Sequence, residues 1–107
     1  MANPDAGRFS DALFLVLSSL AQGPKHGYAM IEDIRAFSGQ VLEPGTLYGA
    51  IARLEQKGFI EPLPAEDRRR PYRITPTGRA ALQAQVETME RVVAAGRARL
   101  RVREGSR

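Results

Sequence analysis

Residues 66–75 read EDRRRPYRIT. The three adjacent guanidinium groups of Arg68, Arg69 and Arg70 are suited to gripping an anion, because each is permanently charged and presents a fork of donors. A charge run alone is usually a solvated face, so its surroundings must decide. Upstream, EPGTLYGAIARLEQKGF carries a second set of donors on one helical segment. Leu47, Ile51 and Leu54 lie at i, i+4, i+7 and point inward. At about 100° per residue this turns Gly45, Gly49, Ala52 and Gln56 outward, with Thr46 and Arg53 on one flank and Tyr48 on the other. Small residues let a helix backbone approach a groove closely. The hydroxyls of Thr46 and Tyr48 can bond phosphate, and Arg53 can bond phosphate or a guanine edge. The plainer alternative is that this face packs on another helix, with Arg53 paired to Glu32 or Asp33 and Tyr48 half-core.

Other chemistry is thinly provided. The single histidine, His26, stands beside Gly27 at a helix start, where a capping or turn role outweighs a catalytic one. There are no cysteines, which excludes disulfides, thiolate metal sites and a cysteine nucleophile. No nucleophile–base set, phosphate loop or metal-ligand spacing is present, so neither an enzyme nor a cofactor is expected.

The elements that position these residues follow from the pattern. The 107 residues, 43% hydrophobic and 26% charged, suit one small domain with one core. Residues 1–8 lack a period and read as a loose arm. Phe9, Leu13, Val16, Leu17 and Leu20 then mark a first helix, which Ser10 or Asp11 can cap and Gly23-Pro24 ends. KHGYAMIEDIRAFSG is a second helix, with Tyr28, Ile31 and Ile34 inward and Met30 and Phe37 loosely so. The segment from Pro44 to Lys57 is the third. FIEPL and PYRIT alternate with period two around PAEDRRR and predict a β-hairpin, which Pro62, Pro64 and Pro71 keep short and at an edge. A long helix follows from Pro76, with Thr75 or Thr77 available as its cap. Along it Leu82, Val86, Met89, Val93, Gly96 and Leu100 recur at steps of 4, 3, 4, 3, 4, an a/d heptad seam suited to self-association. Gly96 weakens that helix by about 1 kcal/mol relative to alanine.

The resulting fold class is mainly α with a small β-hairpin: a winged helix-turn-helix over residues 9–75, then a long C-terminal dimerisation helix over 76–103 and a flexible tail, 104–107. In such a fold one helix enters the DNA major groove and the wing reaches the flanking backbone. The net charge of +4 is unevenly placed. Residues 1–90 carry 10 basic and 11 acidic side chains, whereas residues 91–107 carry six arginines and one glutamate. Overall basicity therefore says little, and local placement carries the argument. MANPDAGRFSD lacks the features of a signal peptide, and ALFLVL is far shorter than the roughly 18 residues of a membrane span, so a cytoplasmic location without membrane contact is expected.

Three stretches, LVLSSLAQGPKHGYAMIEDI, PGTLYGAIARLEQKGFIE and RRRPYRITPTGRAAL, span most of the chain and resemble the PadR family of bacterial transcriptional regulators. The resemblance implies a homodimeric winged-helix protein, often a repressor, on double-stranded DNA. It is to the short members, whose dimerisation region is a single C-terminal helix. On these positions the recognition-helix residues would be Gly45, Thr46, Tyr48 and Arg53, and the wing residues Arg68, Arg69 and Arg70, followed by Tyr72. Dyad-related recognition helices would want a pseudo-palindromic operator with half-sites about one turn apart. Many members have a serine where this chain has EPGT, and Glu43 places an acid near the phosphate path. Glu66 and Asp67 offset the wing arginines. Some members hold aromatic drugs between paired tryptophans; with no tryptophan here, that mode does not carry over. A solvated gap between subunits could hold a small-molecule effector, but no residue marks one. The alternative function is a winged-helix module that binds protein, which Glu32, Asp33 and Glu43 would favour.

Overall fold

The computed structural model describes the backbone of residues 4–105 and the side chains of residues 12–102. The expectations for the side chains of Phe9, Ser10 and Asp11, and for residues 1–3, 106 and 107, lie outside the described residues. Four helices and three short strands run in the order α1 (Pro4–Ala21), β1 (Lys25–His26), α2 (Gly27–Ser38), α3 (Pro44–Gln56), β2 (Ile60–Pro62), β3 (Pro71–Ile74) and α4 (Pro76–Gly105). No described helix is long and apolar enough to cross a membrane.

The helical stripes predicted from spacing form the core. Val16, Leu17 and Leu20 of α1, Met30 and Ile34 of α2, and Leu47, Ile51 and Leu54 of α3 are buried together with Ile60 and Leu82. Pro44 opens α3 at a position where its missing N–H costs nothing, and α2 closes at Gly39, whose N–H bonds the Arg35 carbonyl at 2.9 Å. Beneath α1 lies a polar tie that periodicity does not reveal. Buried Ser19 donates to Asp33 Oδ2 at 2.7 Å, and Lys25 Nζ donates to the Ser19 carbonyl at 2.6 Å. Lys25 also lies 3.9 Å from Asp33. Asp33, half-buried, thus ties α2 to α1 and β1.

Four expectations are corrected. The first helix starts at Pro4 rather than Phe9, so most of the supposed arm is helical. Tyr28 is 68% exposed rather than inward. It stands two residues from Met30, about 200° around the helix, and Met30 and Ile34 take the core. Phe37 is likewise exposed. The hairpin is part of a three-stranded antiparallel sheet of order β1-β3-β2, with Lys25 opposite Tyr72 and Ile60 opposite Ile74. β3 is therefore central. Pro71 is tolerated because it is the first residue of the strand and its carbonyl still accepts the Leu63 N–H at 2.8 Å.

Thr75 ties the wing to α4. Its Oγ1 accepts the Gly78 N–H at 3.0 Å and donates to the Gly58 carbonyl at 2.7 Å, which settles the cap in favour of Thr75 over Thr77. Arg79 reaches the Ala21 carbonyl at 3.2 Å, fixing the start of α4 against the end of α1.

Candidate nucleic-acid interface

The tip of the hairpin closes tightly. The Glu66 N–H bonds the Arg69 carbonyl at 2.7 Å, and the Arg69 N–H returns to the Glu66 carbonyl at 2.8 Å. The two residues between them, Asp67 and Arg68, have φ of 47° and 69°. Positive φ at both central residues is the signature of the two-residue hairpin turn whose twist matches its strands. Aspartate tolerates this region better than most residues, which gives Asp67 a structural reason to sit among the arginines. Arg68 has no such excuse. Arg68→Gly is expected to raise stability by about 0.5–1 kcal/mol, lifting the melting midpoint by a few degrees, while weakening the grip on an anion. A thermal melt checks this; a lowered midpoint would contradict it.

The three arginines are exposed and differently engaged. Arg70 Nη1 donates to the Leu63 carbonyl at 2.9 Å, bracing the wing. Arg69 Nη1 approaches His26 Nε2 at 3.4 Å. Arg68 extends from the turn itself. Glu61 and Arg73 pair across β2 and β3 at 2.6 Å, so that neither charge joins the wing cluster.

The face of α3 is as the helical wheel predicts. Gly45, Ala52, Arg53 and Gln56 are exposed, while Thr46 and Gly49 are half-buried. Tyr48 is 52% exposed and leans over the start of α2. A Cβ at Gly27 would collide with its hydroxyl and lie 2.9 Å from its ring carbon Cζ, so glycine there is what allows the ring its place. The phenol of Tyr48 thereby lines a groove of ≈ 390 Å³ with His26, Tyr28, Tyr72 and all three arginines. Tyr72 is half-buried, packed on the core, and anchors the wing as well as edging the groove. Burial raises its phenol above the ordinary value; the Glu55 carboxylate adds to this and Arg70 opposes it.

Sequence reasoning missed two residues here. His26 was read as a cap, and its Nδ1 does accept the Ala29 N–H at 3.4 Å, but its other nitrogen faces the wing. Tyr28 was assigned to the core and instead lines the groove. The adjacency of His26, Gly27 and Tyr28 was the available signal.

The profile of the transcriptional regulator PadR-like family matches residues 16–84. The chain belongs to this family. A transcriptional regulator from Clostridium thermocellum superposes on this PadR-like chain with TM-score 0.75 at 33% identity, covering 89% of this chain and 94% of that one. A PadR family transcriptional regulator from Eggerthella lenta does so with TM-score 0.67 at 33% identity, covering 89% and 85%. An uncharacterized 37.1 kDa protein carried in a transposon of Streptomyces fradiae is 48% identical over 85 residues, 79% of this chain and 25% of that protein. The chain thus spans a quarter of the length of the curated relative it matches. The mainly helical fold with its small sheet is that of the PadR-like winged helix, and the family is one of regulators, not enzymes.

The long helix divides into two parts. Leu82 is buried in the domain's own core and Val86 packs against it. Beyond them, Met89, Val93 and Leu100 are 38%, 49% and 64% exposed. Of the apolar side chains of the seam, Leu82 and Val86 are engaged within the chain, and Met89, Val93 and Leu100 form an apolar line on the surface. Thirty residues of α4 extend about 45 Å, against a long axis of 60 Å for the molecule.

Proposed function

We propose that this PadR-like regulator is a cytoplasmic homodimer that binds double-stranded DNA sequence-specifically and represses transcription. α3 enters the major groove, presenting Gly45, Thr46, Tyr48 and Arg53, while Arg68, Arg69 and Arg70 hold the flanking backbone. Two copies associate through Met89, Val93 and Leu100, which places two α3 helices on a pseudo-palindromic operator. A small-molecule effector between subunits is compatible with this arrangement.

The observation that carries the reading is the groove that sets Tyr48 of α3 beside the three wing arginines. A wing and a reading helix must act on one ligand, and this groove joins them with no carboxylate among its described lining residues. The rival reading, a protein-binding module, leaned on the acids near the face. Asp33 is tied to Ser19 and Lys25, which leaves Glu32 and Glu43 to support that reading.

Selecting bound fragments from a random duplex pool tests the proposal. The expected product is a motif with dyad symmetry and half-sites about one helical turn apart. A pool without enrichment would count against sequence-specific binding. Arg53→Ala is expected to relax discrimination at one base position per half-site by about 1–3 kcal/mol. Relative binding across mutated operators measures this, and a uniform loss would reduce Arg53 to a backbone contact.

A further inference from the structure

His26 sits in an arrangement that its capping role leaves incomplete. A neutral imidazole has one donor and one acceptor nitrogen. With Nδ1 accepting the Ala29 N–H at 3.4 Å, the tautomer that this cap requires carries its proton on Nε2. That Nε2–H faces Arg69 Nη1, another donor, at 3.4 Å. The opposite tautomer would accept from Arg69 only by abandoning the cap. Two donors turned toward each other call for an acceptor that both can reach, and an anionic oxygen supplies it.

The surroundings choose the side on which that oxygen sits. On one side of the His26–Arg69 pair lie Glu66 and Asp67. On the other lie Tyr48, Tyr28, Arg68 and Arg70, with no carboxylate among the described lining residues. The Tyr48 phenol fits there because Gly27 has no Cβ.

We propose that this second side receives one phosphodiester group of the duplex backbone, with His26 Nε2–H, Arg69 and the Tyr48 hydroxyl donating to its oxygens. The inference rests on the DNA-binding reading above and adds His26 to it as a positioning contact between the reading helix and the wing. A neutral donor contributes affinity without releasing a counterion, so its signature differs from that of an arginine.

His26→Asn is the decisive variant, because asparagine also caps helices but has no group reaching as far as Nε2. The expected result is an unchanged melting midpoint, about tenfold weaker binding to operator and random duplex alike, and an unchanged salt slope. Arg69→Ala should instead make the slope shallower by about 0.9. His26→Asp keeps a cap and places a negative charge in the groove, so its loss should exceed that of His26→Asn. Affinity equal to wild type for His26→Asn, or a loss confined to the operator, would overturn the proposal. Inorganic phosphate at matched ionic strength should not compete; competition that disappears in His26→Asn would reassign the groove to a free phosphate. If the wild-type protein binds no duplex at low salt, the DNA-binding reading fails with it. Weak binding by His26→Asn's wild-type parent is thus distinguishable from an idle His26.

Discussion

Gly78→Ala is expected to lower the melting midpoint by about 10–20 °C. Gly78 is buried in the first turn of α4. A Cβ there would collide with the Phe59 carbonyl oxygen, lie 2.8 Å from the carbonyl carbon and 3.0 Å from Ile74 Cγ1. The obstacle is backbone, not a side chain that can swing away. That same carbonyl accepts the Thr75 N–H at 3.0 Å, so relief by movement would loosen the junction of β3 with α4. Overpacking of this kind costs about 3 kcal/mol. Gly45→Ala makes the comparison informative. Gly45 also lies in the first turn of a helix, but a Cβ there meets nothing within 4 Å. Its midpoint should be unchanged or slightly raised, with any loss confined to DNA binding. Circular dichroism melts of both variants measure the difference. Equal midpoints would show that α4 does not dock as described.

On the proposed dimer, Met89→Asp is expected to raise the dissociation constant by about a thousandfold or more, roughly 4 kcal/mol, by placing a carboxylate in an apolar seam. Met89 lines a surface groove with Phe14, Val86 and Val93, which α1 and α4 share. In the isolated chain the side chain is more than one-third exposed, so the folded monomer should tolerate the change. Leu82→Asp would not separate the two effects, because Leu82 belongs to the core. Sedimentation should find Met89→Asp as a folded monomer. It should also bind a palindromic site no better than one half-site. An intact dimer would move the interface elsewhere.

Much of this was legible in the sequence because it depends on local period. The inward faces of α1 and α3, the Gly23-Pro24 stop, the change to period two and the long last helix all follow from spacing. What escaped depends on contacts between distant segments. β1 is two residues long, too short for any period, and exists because β3 offers Tyr72 and Pro71 as partners. Tyr28 sits at a helix start, where a wheel drawn from few residues assigns faces poorly. Glu66 and Asp67 looked like charges opposing the arginines, whereas the turn uses their backbone and the left-handed tolerance of Asp67. The approach of Arg69 to His26 depends on the pairing of β3 with β1, which no local pattern announces.

On the proposed reading, Tyr48 and the wing arginines act together on a nucleic-acid backbone. The most direct measurement is the affinity of the wild-type protein for a duplex carrying its selected site, titrated against salt. Each phosphate contact contributes a log–log slope of about −0.9. Two protomers, each placing at least two wing arginines on phosphate, predict a slope of about −4 or steeper. A slope near zero, or no binding at low salt, would contradict the account.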